Sequence, residues 1–167
     1  FKPRPKWRLL IDGKDINPGA HWTLWSGKLN VDPEIEGALV DGSPLLRMNE
    51  ITISGDLLDQ PFHASGTLGL DTDVVALKTL KVKSGNNQWW LNGTLSQNSN
   101  LRVDFDVPDP VKLWTGVHGH MAGYWVVKGD PRSPVGTMTL EGTDMRYGEY
   151  HLQQVNGTAR VDFGNTM

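Results

Sequence analysis

The chain contains no cysteine. Disulfides, zinc ribbons, iron–sulfur clusters and thiol nucleophiles are excluded together by that one absence. It fits any compartment, including a bacterial periplasm in which the fold is held without disulfides. Long apolar runs are also missing: none approaches the ~20 residues that a membrane-spanning helix needs, and no signal-peptide pattern is present. Nor is there charge of one sign. The 16 basic and 19 acidic side chains are interspersed and give a formal net charge of −3. Neither the basic footprint of a nucleic-acid binder nor a polybasic membrane patch is therefore present. Apolar residues make up 38% and charged residues 21%, below the globular averages of about 45–50% and about 25%. Helical periodicity is almost absent. The single segment that fits a helical turn is 110–114, where Asp109 is placed to cap and Pro110 suits the first helical position.

What fills the shortfall is the chemistry of turns and sheet margins, with 19 Gly and 10 Pro among 167 residues. That length is room for one domain burying roughly 70% of its unfolded surface. Strict alternation marks the strands. In 101–107 every odd position is apolar (Leu101, Val103, Phe105, Val107) and every even one is charged, so the strand has one buried and one solvated face. The same scheme runs through 51–57 and 155–163, more weakly through 64–70, and through 89–95 apart from Trp90. Between Leu77 and Leu80 the apolar parity changes, as a β-bulge would cause. Short strands are expected at 7–11, 22–25 and 29–31. Residues 33–48, carrying Pro33, Gly37, Gly42 and Pro44, fit either a loop or a frayed strand pair.

An apolar–polar–Gly–Thr/Asp core recurs at Gly55, Gly66, Gly93, Gly129, Gly142 and Gly157. Glycine weakens a strand interior, so its repeated use implies either a bend at the same depth in strand after strand or a series of ordinary bulges. Asn92-Gly93-Thr94 and Asn156-Gly157-Thr158 match the glycosylation pattern, but sit within that repeat.

Sites for chemistry are scarce. His118-Gly119-His120 puts two imidazoles on one face of an extended segment, but a metal needs three or four ligands, and His21, His63 and His151 are scattered. Asp104, Asp106 and Asp109 lack the Gly and terminal Glu of a calcium loop and read as a solvated strand face. No Gly-x-Ser-x-Gly, phosphate loop or dinucleotide fingerprint occurs. We expect no catalytic residue, no metal site and no cofactor. Seven tryptophans (Trp7, Trp22, Trp25, Trp89, Trp90, Trp114 and Trp125) suit either a carbohydrate-binding face or, as we favour, the filling of wide gaps in the interior.

Apolar stripes on single faces, with no amphipathic helix to cover them, require the sheet to fold onto itself as a sandwich, a barrel or a curled trough. A trough leaves a continuous apolar surface for a lipid-like ligand or a partner.

One ordered run of features extends from Val74 to Phe163. The Trp90-Leu91-Asn92-Gly93-Thr94-Leu95 strand leads to the alternating strand 101–107 and a proline-bounded turn ending Val111-Lys112-Leu113-Trp114. Gly116, Gly119 and Gly123 follow; Val127-Lys128-Gly129-Asp130 and Pro134-Val135-Gly136 then precede Met138-Thr139-Leu140. Met145-Arg146-Tyr147 and His151-Leu152 lead to Val155-Asn156-Gly157. In this order they resemble the C-terminal repeated β domain of the TamB family, and more loosely its AsmA-like relatives; the first 48 residues match poorly.

The resemblance implies an all-β fold, an elongated, curled, taco-like β-sheet with an apolar groove and at most one short helical turn. It implies a Gram-negative periplasmic location for a protein anchored in the inner membrane, and a non-enzymatic role in outer-membrane biogenesis. The expected partners are a phospholipid or other acyl-chain ligand and, through the full-length chain, an outer-membrane protein of the Omp85 class. Residues 1–167 are expected to be a single β-groove segment of a much longer, envelope-spanning protein. Raw sheet edges would then favour edge-to-edge self-association. From the alternation we place Ile51, Ile53, Leu57, Leu68, Leu70, Leu77, Leu91, Leu95, Leu101, Val103, Phe105, Val107, Met138, Leu140, Val161 and Phe163 inside the groove. Thr52, Arg102, Asp104, Asp106, Arg160 and Asp162 are placed outside. Conduction of phospholipids, chaperoning of outer-membrane protein strands and, last, carbohydrate binding by a closed sandwich are the functions to separate.

Overall fold

Two-faced alternation is realised as a single antiparallel sheet in a computed structural model, which describes residues 6–20, 25–40, 43–71, 74–130 and 135–162. The strands are β1 (Lys6–Leu10), β2 (Gly13–Ile16), β3 (Gly27–Val40), β4 (Ser43–Leu57), β5 (Gln60–Asp71) and β6 (Val74–Ser84). They continue as β7 (Asn87–Leu95), β8 (Ser99–Val107), β9 (Val117–Gly129), β10 (Val135–Tyr147) and β11 (Tyr150–Asp162). From β3 to β11 each strand pairs with the next in sequence, while β1 and β2 both pair with β3. The ten-strand path, at about 4.8 Å per strand, gives a sheet about 45 Å across. Among the described residues β1 and β11 do not pair, so the sheet is not a closed barrel, and no second sheet makes it a sandwich.

Residues 33–40 and 43–48 form part of the β3–β4 pair rather than a loop, and 41–42 lie outside the described residues. Pro33 is tolerated there because its carbonyl accepts from Ile11 N at 3.3 Å. Its nitrogen therefore faces the edge where β1 gives way to β2, and no ladder donor is missed. Of the segment expected at 22–25, residues 22–24 lie outside the described residues and Trp25 is in no strand. The turn at 110–114 appears as a 3-10 turn, Pro110–Lys112, with Asp109 at its N-terminus. Asp109 does not cap it through its side chain. Pro18–Ala20 adds a second short turn to the single one expected.

The core lies on one face. Ile35, Leu57, Ala64, Leu77, Val107 and Val127 are the buried apolar residues among those described, and the register puts all six on the same side of the sheet. With no α-helix or second sheet above them among the described residues, curling of the sheet over its own apolar face buries Ile35, Leu77 and Val127 to 8–9% exposure. Two devices produce the curl. Register shifts fall between Met48 and Ile51, between Ser65 and Thr67, and between Leu77 and Leu80, a line of bulges crossing β4 to β6. The last is the expected parity change; Thr79 sits in it at φ 52°. The second device is glycine. Gly93 has φ 136°, and a Cβ built on it would lie 2.1 Å from the Asn100 carbonyl oxygen. Gly55 meets the Lys28 carbonyl in the same way. The neighbouring strand presses in on the apolar side at both, so these repeat glycines mark close backbone approaches at bends.

Candidate functional site

Following hydrogen-bonded partners across the sheet gives rows of side chains that share a face. One row runs Val31–Ile53–Ala64–Val82–Trp89–Phe105–Gly123–Leu140–Gly157. A second runs Ile35–Met48–Leu68–Leu77–Gly93–Leu101–Val127–Gly136, with Val161 the next backbone partner. Neither contains a charged or hydroxyl side chain over its nine strands. Between them lie Ile51 paired with Gly66, and the run Leu80–Leu91–Val103–Trp125–Met138–Ala159. Leu70 and Leu95 both pair with Val75 toward one rim, while Leu57 and Val107 lie toward the other. Fourteen of the sixteen residues assigned to the interior from sequence thus share the apolar face. Val161 is described only by its pairing, and Phe163 lies outside the described residues. Within that set Leu57, Leu77 and Val107 are buried and the others remain half-buried, which is the signature of an open face rather than a sealed core.

The opposite face carries the charge. Thr52, Arg102, Asp104, Asp106, Arg160 and Asp162 all register there. Arg102 binds Asp104 (Nη2–Oδ1 2.6 Å) and stacks over the Tyr124 ring at 4.1 Å; the hydrogen bond to Asp104 raises its pKa further. His120 Nε2 lies 2.5 Å from Asp106 Oδ1. Near the far edge, His151 (2.6 Å) and Arg146 (2.9 Å) both hold Asp144. The bond to His151 first, and that to Arg146 second, draws the Asp144 carboxyl below its ordinary pKa. No group of three metal-ligating side chains occurs among the described residues, so His118 and His120 gain no third ligand there.

The rim at which the β4–β5, β6–β7 and β8–β9 connections lie holds what the sequence did not reveal. There the 108–116 segment folds over the apolar face and roofs a cavity of about 640 Å³. Its walls include Leu57, Phe62, Val82, Trp89, Leu91 and Val103, and its roof is Lys112, Leu113 and Trp114. The roof is fixed by Asn87, which is 1% exposed. Asn87 Nδ2 donates to the Asp109 carbonyl at 3.1 Å and the Asp109 N–H donates to Asn87 Oδ1 at 3.0 Å. An asparagine in a Gly-Asn-Asn turn reads from sequence as turn chemistry; its main-chain partner 22 residues on leaves no side-chain signal. Trp25 and Trp114 line the same cavity while about half exposed. They correct the expectation that the tryptophans fill the interior, as does Trp7, 44% exposed at the edge strand. Trp89 and Trp125 do sit on the apolar face, Trp90 registers on the polar one, and Trp22 lies outside the described residues.

A family model described as the N-terminal domain of TamB matches residues 1–167. It takes in the first 48 residues, and it is the N-terminal domain of the family rather than the C-terminal repeated domain that the order of features from Val74 onward resembles. No curated protein and no solved structure matches the chain.

Proposed function

The chain belongs to the TamB family, as its N-terminal domain, and from that premise we propose that its apolar face is a conduit segment for phospholipid acyl chains between the inner and outer membranes. The family places the protein in the Gram-negative envelope, with a role in transport or assembly. The observation that carries the lipid reading is the pair of uncharged rows spanning nine strands on a face left half-open. An acyl chain has no hydrogen-bonding groups, so it loses nothing on such a surface, whereas a polypeptide would bury N–H and C=O groups without partners. Residues 1–167 act in this reading as one segment of a longer groove anchored at the inner membrane, without catalysis or cofactor.

A second reading is supported by the edges. Strands β1, β2 and β11 each lack a neighbour on one side among the described residues, which suits addition of a strand or edge-to-edge pairing with another copy. On this reading the protein scaffolds outer-membrane barrel assembly with an Omp85-class partner. A photo-crosslinking residue at Val103 or at Arg102 of the full-length protein in living cells separates the two. Phospholipid adducts at Val103 and none at Arg102 are the expected result. Polypeptide adducts at Val103 would put the assembly reading first, and no adduct at either position would end the groove reading.

A further inference from the structure

The cavity is set apart by two features: the 108–116 segment covers part of it, and its lining carries a charge with no ion-pair partner among the described residues, whereas Arg146, which lines the hollow over β9 to β11, is held by Asp144. Lys112 is the one charged side chain lining it, and no carboxylate does so. Lys112 is exposed and has no ion-pair partner among the described residues. Long basic side chains lay their stems along apolar surface and keep the ammonium in water. Ser84 is the other polar side chain lining the space, and it is 5% exposed. A polypeptide strand here would find almost no partner for its backbone, and each unmet group would cost free energy. The volume falls within the roughly 300–1,000 Å³ of sites that enclose one small molecule. An occupant complementary to these walls is one flexible apolar body with an anionic end.

We infer that the cavity is a holding site for a single glycerophospholipid, with one acyl chain under the 108–116 roof and its headgroup phosphate against the Lys112 ammonium. This rests on the conduit reading and adds to it a defined station with a charge requirement. On the open parts of the face a lipid is held by apolar contact alone and can slide. Under the roof its phosphate is fixed, and the Asn87–Asp109 bonds keep the roof closed over the chain.

A test compares two crosslinking positions in the full-length protein in cells: Trp114 in the roof and Leu140 on the open apolar face. Each is combined with Lys112 intact, with Lys112→Glu and with Lys112→Arg, and adducts are identified by mass. Lys112 is solvent-exposed, so the fold does not depend on it. Glycerophospholipid adducts at Trp114 should fall about fivefold or more in Lys112→Glu, recover in Lys112→Arg, and stay constant at Leu140. Equal labelling at Trp114 whatever residue stands at 112 overturns the inference, as do free fatty acid or polypeptide adducts there. Lipid at Leu140 with none at Trp114 rejects the holding site and leaves the conduit standing. No lipid at either position removes both.

Discussion

Two hollows on the same apolar face show how far a single curled sheet can go by itself. The larger, about 640 Å³, lies over β4 to β8 and is partly covered by the 108–116 segment. The smaller, about 220 Å³, is built by β9 to β11 alone, with Met121, Leu140, Met145, Arg146, Tyr147 and Tyr150 among its lining. At the first, Leu57 is almost fully buried beside the half-exposed Trp25 and Trp114; at the second, Tyr147, Tyr150 and Leu152 are more than half exposed. Strand curvature alone buries Ile35, Leu77 and Val127 elsewhere on the face; over β4 to β8 the β8–β9 connection adds a further wall to a wider hollow.

That contrast can be broken first at the bends. Gly93→Val should destabilise the domain by about 3–5 kcal/mol, since it combines a positive φ with a collision against the β8 backbone. Gly157→Ala, where a Cβ meets nothing within 4 Å, should stay within about 0.5 kcal/mol. Urea unfolding followed by tryptophan emission reads both, and equal midpoints would mean that the roofed half is no more tightly bent than the open end. The clamp is next. Asn87→Ala strands the Asp109 N–H and C=O and should cost about 1–3 kcal/mol. It should also open 108–116 to limited proteolysis, whereas Tyr150→Ala at the open end should alter neither. Unchanged cleavage in Asn87→Ala would show the roof to be held by its apolar contacts alone.

The smallest effect belongs to the exposed charge cluster at the open end. The Asp144 carboxyl titrates below its ordinary range because His151 and Arg146 bind its charged form. A depressed folded-state pKa stabilises the fold above the unfolded-state value, and that contribution is lost as pH falls through the folded value. The contribution of the Asp144 carboxylate should therefore fade in acid below the usual carboxylate range. A carbon NMR titration of the Asp144 carboxyl should show its pKa rise in the Arg146→Ala/His151→Ala double variant; an unaltered titration would remove the cluster from the account.

The alternating strands were legible residue by residue. Leu101 to Val107 announce their faces, and each side chain assigned to the groove and described in the structure lies on the apolar side. The bulge at Thr79 was legible too, because an inserted residue must reverse the parity of everything after it. Residues 33–48 were not, because Pro33 forbids a central strand unless a broken edge spares its missing donor. That edge exists only once β1 and β2 have docked. The repeat glycines announced themselves without saying whether they bend the sheet, since the backbone that fills the space at Gly93 comes from the next strand.

The sequence alone determined which side chains can face each other and which face is apolar, because a period of two is a local property of an extended chain. It also offered no amphipathic helix to cover that face. How much of the face is enclosed was decided by the tertiary structure. The curl depends on how closely neighbouring strands approach at Gly55, Gly93 and the line of bulges. The roof depends on a buried asparagine reaching a main-chain group far along the chain. Contacts of that kind are made by backbone atoms common to every residue, and so they leave no mark in the order of the side chains.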